Sequence, residues 1–217
     1  TTVRPSGPAA LSDLKSLFAG RDGTLYMGSV SAGLAVRDPA GTFSVHTKAS
    51  GALPDDAVNA FLERSGASGA ELWVATGHGL AKLSGGAFTR FPAGENGLPR
   101  GAARALAETV ESGERMLWVG TENGLDRISR DRSKIASFFP YPGKAAAGAN
   151  EILALHLDRG GLLWVGTNSG GLLSFDLSGE SFTPYRHLRG DPHSLSDDEI
   201  HSICADREGD LWIGTAW

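Results

Sequence analysis

Short apolar runs alternate with glycine-rich turn signals along almost the whole chain. Four kinds of segment recur in a fixed order: an apolar run such as "ILALHLD", then "LLWVGT", then "GLLSFD", then an aromatic segment such as "SFTPYR". Apolar runs of about four to eight residues between turn residues are typical of β-strands. Each group of four segments therefore predicts four short strands joined by tight turns.

This group recurs at a nearly constant spacing. The second segment of each copy carries one aromatic residue: Tyr26, Trp73, Trp118, Trp164 and Trp212. A period of roughly 40–50 residues with four strands is the signature of a β-propeller. One four-stranded sheet cannot bury both of its faces alone, so neighbouring sheets must stack as blades. We expect the repeated aromatic residue to fill the space between them, because an aromatic side chain brings a large burial area.

The sequence therefore predicts an all-β protein, a β-propeller of four-stranded antiparallel blades, with about four and a half blades present. The register overrides the helix propensity of "GAARALAETVESGERM" and the capping-box pattern from Ser196 to Glu199. Copies two and three carry three extra residues, which we assign to an exposed turn. The expected limits are an N-terminal extension at 1–10 and blades at 11–50, 51–96, 97–147, 148–193 and, in part, 194–217.

Two further repeated features have structural interpretations. The third residue of each apolar run is small, as expected of the crowded innermost strand: Ser16, Ala60, Ala105, Ala154 and Ser202. The Asp158–Gly161 and Asp206–Gly209 pieces lie where the first and second strands must turn. Each lacks the additional oxygen ligands of a calcium loop, so we interpret them as hairpin turns.

Composition and motifs limit the classes of function that this chain can have. The net charge is −5 and no Lys/Arg cluster stands out, which argues against nucleic acid as a partner in this region. The single Cys204 excludes an internal disulfide. We find no nucleophile elbow, zinc-protease motif or phosphate loop, and the spacing of His187, His193 and His201 matches no common metal pattern. We therefore expect no catalytic residues, no metal and no cofactor.

The segments "LWVGTENGL", "LLWVGTNSGGL" and "IHSICADREGDLWIGT" resemble the two-component regulator propeller repeat. The resemblance implies a seven-bladed propeller, so this chain would be a fragment of a larger protein. It also implies a periplasmic or extracytoplasmic sensor region of a bacterial signalling protein such as a hybrid histidine kinase. The kinase and membrane-attached parts would lie elsewhere in the polypeptide. An incomplete propeller exposes apolar blade faces, so we expect a homodimer or other self-association.

A ligand site must come from polar residues that vary between copies. Propeller loops that join the second and third strands share a face with the links into the inner strand. We expect a ligand-sensing function for this face, with a carbohydrate or other small molecule as the ligand. A protein-interaction scaffold and a propeller lyase or lactonase are the alternatives. Leu153 interrupts the polar positions of the inner strands. The candidate ligand-binding residues are Lys15, Asn59, His78, Arg104, Glu122, Asn123, Asn168 and His201, with Ser169 beside them.

Overall fold

The computed structural model describes residues 13–66, 69–94, 101–129, 134–143 and 148–217. All regular secondary structure in these ranges is β-strand. The expected N-terminal extension at 1–10 lies outside them. The chain divides into two compact units, Thr1–Ala103 and Arg104–Trp217. Within each sheet, strands that follow one another in sequence are hydrogen-bonded neighbours, and they pair antiparallel. The predicted all-β architecture of four-stranded blades is therefore confirmed.

The first unit contains two four-stranded sheets. Sheet 1 consists of β1 (Leu14–Ala19), β2 (Leu25–Ser29), β3 (Leu34–Arg37) and β4 (Phe43–His46). Sheet 2 consists of β5 (Val58–Gly66), β6 (Gly69–Thr76), β7 (Gly79–Ser84) and β8 (Ala87–Pro92).

The second unit contains two four-stranded sheets and one pair of strands. Sheet 3 consists of β9 (Ala103–Glu111), β10 (Glu114–Thr121), β11 (Gly124–Ser129) and β12 (Ile135–Phe138). Sheet 4 consists of β13 (Ile152–Leu157), β14 (Leu163–Thr167), β15 (Leu172–Asp176) and β16 (Ser181–Tyr185). Sheet 5 consists of β17 (Ile200–Ala205) and β18 (Leu211–Thr215).

The extra residues of copies two and three lengthen strands rather than form a loop. β5 and β6 have nine and eight residues, whereas β1 and β2 have six and five. Pairing continues to Gly66 opposite Gly69, and a buried ion pair at 3.0 Å joins Arg64 Nε to Glu71 Oε2. The helix-prone segment likewise forms β9 and β10, because pairing within the sheet outweighs local propensity.

Two of the repeated aromatic residues, Tyr26 and Trp118, lie at junctions between sheets. Tyr26 of sheet 1 packs against Phe61 of sheet 2, with ring centroids 6.2 Å apart. Trp118 of sheet 3 is fully buried and meets Phe175 of sheet 4 edge-on at 5.4 Å. Each junction encloses one apolar cluster, so burial is shared between sheets that could not bury both of their faces separately.

A glycine in the second strand sets the approach of the following sheet. A Cβ on Gly166 would lie 2.6 Å from Ile200 Cγ2, and one on Gly120 would lie 2.5 Å from Ile152 Cγ2. Gly28 faces Val58 in the same way. After these three strands, the first residue of the following inner strand therefore enters a notch that only glycine leaves open.

The aspartates of the Asp-x-x-Gly pieces organise the turn between first and second strands. Asp206 Oδ1 accepts the backbone N–H groups of Gly209 and Asp210, each at 2.9 Å. Its other oxygen accepts the Trp212 indole N–H at 3.0 Å, and Asp158 accepts that of Trp164 at 2.8 Å. The Trp212 indole and these backbone donors lower the pKa of Asp206. The turn interpretation of both aspartates is confirmed by these contacts.

One carboxyl group occupies a position that is apolar in the other four-stranded sheets. Asp126 in β11 is 6% exposed, where the repeat register places Ala35, Ala81 and Leu173. The Ser137 hydroxyl donates a hydrogen bond to it. Burial raises the pKa of Asp126, and the Ser137 hydrogen bond opposes that rise only in part. The ionised form therefore opposes folding of sheet 3.

We expect Gly166→Ala to destabilise the chain by about 1–3 kcal/mol, because the new methyl overpacks the notch against Ile200. Sheet 2 carries Ala75 at the repeat position of Gly166. The inner strand that follows sheet 2 begins with Ala103, which is smaller than Ile200 at the same repeat position. Ile200→Ala should therefore relieve the overpacking. Urea unfolding of both single variants and the double variant measures their coupling. Strictly additive losses would show that the notch does not set the packing.

We expect Asp126→Asn to stabilise the chain at neutral pH. The folded-state pKa of Asp126 is raised, so its contribution to stability is fully present below the unfolded-state pKa. This contribution is lost as pH rises through the folded-state pKa. Asparagine has no carboxyl group to ionise, so the variant does not lose this stability as pH rises. Urea unfolding between pH 3 and pH 8 should show a gain for the variant that appears only on the alkaline side. A gain of equal size at every pH would contradict the titration.

Candidate ligand-binding site

The turns between second and third strands are fixed from within by a threonine hydroxyl. The hydroxyls of Thr76, Thr121 and Thr167 donate to the carbonyls of Gly79, Gly124 and Gly171 at 2.8, 2.9 and 2.8 Å. A backbone N–H within each turn donates to the same hydroxyl, so the turn closes without help from the side chains between threonine and glycine. The side chains of the intervening residues are exposed or half-buried: His78, Glu122, Asn123, Asn168 and Ser169.

A backbone hydrogen bond places these turns beside the start of the inner strand of the same sheet. The N–H of Gly77 donates to the Ala57 carbonyl at 2.8 Å, and that of Asn168 donates to the Glu151 carbonyl at 2.9 Å. The same bond joins Ala216 to Glu199 at 3.1 Å. Within each of these sheets, the two kinds of candidate position therefore lie at one end.

The candidate residues of the inner strands lie at β-bulges. Pairing of the first two strands skips one residue in sheets 1, 2, 4 and 5: Lys15, Asn59, Leu153 and His201. Arg104 holds the same repeat position in β9. A bulge leaves one residue out of the ladder and redirects its side chain, a device that is frequent beside functional sites.

In the first unit, the bulged residues of the two sheets contact one another. Lys15 Nζ donates to Asn59 Oδ1 at 2.8 Å. Lys15 is exposed and Asn59 is half-buried, so this pair forms a polar bridge that solvent reaches. His78 lies exposed on a neighbouring turn of sheet 2.

In the second unit, Arg104, Glu151 and Asn168 form a compact group, which we call the inner-strand cluster. Arg104 Nη2 lies 2.6 Å from Glu151 Oε1, and Asn168 Nδ2 donates to Glu151 Oε2 at 2.8 Å. Arg104 Nε is buried and has no acceptor among the described residues. The Arg104 side chain is 28% exposed and that of Glu151 is 19% exposed. The cluster therefore joins sheets 3 and 4 and still reaches solvent.

Sequence reasoning missed Glu151, the residue that holds the cluster together. An acidic residue stands directly before the inner strand at Asp13, Glu151 and Glu199, a repeat signal that could have identified it. Glu199 Oε1 lies 3.1 Å from His201 Nε2, and both side chains are exposed. Leu153 adds no polar group, as the sequence indicates. The candidate residues thus fall into separate local groups.

A second polar group that the sequence did not single out fastens the links into sheets 4 and 5. Arg186 Nη1 donates to the Gly170 carbonyl at 3.1 Å and to the Tyr141 hydroxyl at 3.2 Å, and Arg186 Nε pairs with Asp198 at 3.1 Å. The Tyr141 hydrogen bond, more than burial or Asp198, shapes the pKa of Arg186, which is raised. These bonds hold the turn at Gly170 next to the cluster.

The described residues include no group of three or more His, Cys, Asp or Glu side chains that could hold a metal ion. The inner-strand cluster offers guanidinium and amide donors together with carboxylate and amide oxygens. Such planar groups bind paired hydroxyls or a carboxylate through several hydrogen bonds at once. The cluster therefore presents both donors and acceptors of hydrogen bonds at a position that solvent reaches.

Residues 194–217 match the model of a family described as Two component regulator propeller. This chain carries a two component regulator propeller repeat. The matched segment spans the link into sheet 5 together with β17 and β18, and it includes His201 and Trp212. The resemblance noted in the sequence is therefore confirmed. No curated protein matches the chain.

Solved structures share the fold. The extracellular domain of a protein from B. thetaiotaomicron, described as a hybrid two component system, has a TM-score of 0.76 and 22% identity, over 98% of this chain and 27% of that one. Another such domain from that organism has a TM-score of 0.65 and 22% identity, over 98% and 34%. Virginiamycin B lyase from Staphylococcus aureus has a TM-score of 0.65 and 15% identity, over 95% and 64%.

These likenesses establish the β-propeller fold, and the chain spans about a third or less of the two extracellular domains that it resembles. No helix in the described ranges has the length and apolar character needed to cross a membrane.

We expect Glu151→Gln to lower the free energy of unfolding by about 1–3 kcal/mol, because Arg104 loses its charged acceptor and already has an unpaired Nε among the described residues. Glu114→Gln is a matched control. Glu114 pairs with Lys134 at 3.3 Å on an exposed part of sheet 3, and such pairs contribute about 0–1 kcal/mol. Urea unfolding compares the two. Equal losses would mean that the cluster is only a surface ion pair.

Proposed function

We propose that this chain is part of the ligand-sensing, extracytoplasmic region of a bacterial two-component-type signalling protein, and that it performs no catalysis itself. The observation that carries the proposal is the inner-strand cluster: Arg104 and Glu151 come from consecutive sheets and meet at a solvent-accessible end. A molecule bound there contacts both sheets. The family repeat at 194–217 and the shared fold of extracellular domains from two component systems support the signalling context.

The division of labour among residues also supports a binding role. The repeated tryptophans, threonines and glycines are engaged in packing and turns, as their contacts show. The residues left to vary at the sheet ends are polar and partly exposed. A surface that is built this way recognises a ligand through side chains that the repeated packing and turns do not require.

The ligand class follows from the donors and acceptors. Arg104 and the Asn168 amide donate, whereas Glu151 and the Asn168 carbonyl oxygen accept. Adjacent hydroxyls of a sugar both donate and accept, and they match such a set better than an apolar or purely anionic molecule does. We therefore assign a mono- or oligosaccharide as the ligand of the cluster.

Signalling then follows from linkage. A ligand that bridges sheets 3 and 4 stabilises one arrangement of the two sheets over others and shifts the population towards it. The output parts belong to the remainder of the protein, where the shift would be converted into a change of activity.

The test is thermal unfolding of the chain with a panel of mono- and oligosaccharides. We expect one sugar class to raise the midpoint, since a ligand at about 100 times its dissociation constant adds about 2.7 kcal/mol. Arg104→Ala and Asn168→Ala should abolish the rise. Arg115→Ala should retain it, because Arg115 forms a comparable ion pair with Glu108, 2.5 Å apart, on the β9–β10 hairpin away from the cluster.

Two results would overturn the proposal. A well-folded chain whose midpoint no sugar changes would favour the interaction-scaffold alternative. Conversion of the sugar into a new compound, followed by NMR, would favour a propeller lyase or lactonase; His201 and Glu199 would then be the first residues to replace.

A further inference from the structure

An aromatic side chain lies exposed at the end of sheet 3 that carries the candidate residues. Phe139 directly follows β12 and is 51% exposed. A Cβ on Gly124 would lie 3.2 Å from Phe139 Cδ1, so the ring rests on the turn between β10 and β11 that Thr121 closes. The side chains of Glu122 and Asn123 in this turn are exposed. An aromatic ring and two polar side chains therefore stand beside each other at one turn.

Packing of the sheets does not require an aromatic residue at this position. The strand pairing places Thr47, Pro92 and Arg186 at the register position of Phe139 in sheets 1, 2 and 4. Arg186 uses its side chain for hydrogen bonds and an ion pair with neighbouring links. Phe139 instead leaves about half of its surface to solvent. The other three occupants have no ring system of this kind, so the fold does not need one there.

The link after Phe139 is fastened to the same framework as the inner-strand cluster. The Asn150 amide nitrogen donates to the Tyr141 carbonyl at 2.9 Å, and the Tyr141 N–H donates to Asn150 Oδ1 at 2.8 Å. The Tyr141 hydroxyl donates to the Gly170 carbonyl at 2.6 Å. Tyr141 is two residues from Phe139, and Asn150 directly precedes Glu151 of the cluster. The backbone near the exposed ring is therefore held in a fixed position relative to the cluster.

Phe139 and Arg104 of the cluster lie at the same end of sheet 3 but at opposite edges. The strand order is β12-β11-β10-β9; Phe139 follows the last residue of β12, and Arg104 is near the first residue of β9. Strands lie about 4.8 Å apart, so three spacings separate the two edges by roughly 14 Å. The turn with Glu122 and Asn123 lies between them. A single sugar ring held by Arg104 does not reach Phe139, whereas a short oligosaccharide spans the row.

We propose that Phe139, Glu122 and Asn123 form a second subsite, which binds a later ring of an oligosaccharide whose first ring is held by the inner-strand cluster. This inference rests on the proposed function, because it extends the same site. The face of an aromatic ring carries partial negative charge and attracts the partly positive C–H groups of a sugar ring. Glu122 accepts hydrogen bonds, and the Asn123 amide both donates and accepts them, as sugar hydroxyls require. The ligand class is thereby narrowed to an oligosaccharide.

Isothermal titration calorimetry with homologous sugar series tests the second subsite. The probes are cello-, malto-, xylo- and manno-oligosaccharides, each from the single sugar to the hexasaccharide. We expect one series to bind, with an affinity about three- to tenfold higher once the oligosaccharide reaches Phe139. Phe139→Leu should remove this gain and leave the affinity for the single sugar unchanged, because leucine is apolar but has no ring face. Phe139→Tyr should retain the gain.

The matched control is Val110→Ala. Val110 is 64% exposed on β9 beside the β9–β10 hairpin, at the other end of sheet 3. This variant should bind every member of the series as the unmodified chain does. Proton NMR supplies a second measurement, because the ring current of Phe139 shifts the C–H protons of a stacked sugar ring upfield. The shift should disappear in Phe139→Leu and persist in Phe139→Tyr.

The outcomes separate the second subsite from the proposed function. An affinity that does not change with the length of the sugar overturns the subsite and leaves the sensing proposal in place. The same holds if Phe139→Leu weakens binding of the single sugar as much as that of the oligosaccharides. A gain with length that Phe139→Leu leaves intact also overturns the subsite, because the later rings then contact other residues. Absence of binding by every series overturns both proposals.

Discussion

The structure depends on one steric constraint, the close approach of an aliphatic side chain to a glycine in the neighbouring sheet. Ile200 beside Gly166 and Ile152 beside Gly120 fix how near successive sheets come. At that separation the inner strands have room for only small third residues, such as Ala105 and Ala154. The aromatic residues then fill the wider space farther out, where Trp118 meets Phe175. Notch, small residue and aromatic residue therefore form one packing solution, which the chain repeats.

Polar groups stabilise the turns at both ends of sheet 4. At one end, an aspartate such as Asp158 satisfies the backbone of the turn and the indole N–H of the tryptophan. At the other end, Thr167 closes the turn into the third strand. Other sheets differ at the position of Asp158. Thr109 replaces the aspartate in sheet 3 and accepts the Trp118 indole N–H at 2.9 Å, whereas sheet 1 carries Gly20 in place of the aspartate and Tyr26 in place of the tryptophan. A tyrosine ring has no indole N–H that requires the acceptor.

Sequence alone was sufficient for the fold because its signals are local and recur. The spacing of Tyr26 and the tryptophans defined the sheets, and the register correctly overrode the helix propensity of the β9–β10 segment. The candidate site was predictable only in part. Arg104 and Asn168 were identified by position, but Glu151 was not, since its role depends on a contact across two sheets. The buried Asp126 also gave no sequence signal, because its register position is apolar elsewhere and its partner Ser137 lies on the next strand.

In most loops the same residues determine both the backbone conformation and the recognition surface. The threonine-closed turn assigns these two properties to different residues. Because the hydroxyl of Thr121 ties the turn to Gly124, the side chains of Glu122 and Asn123 carry no part of that bond. Recognition chemistry can therefore be altered at these positions with little effect on the framework that displays it, much as variable loops are altered on an antibody domain. Sheets 2, 3 and 4 each have such a threonine-closed turn, so the chain displays several replaceable side chains on a fixed support.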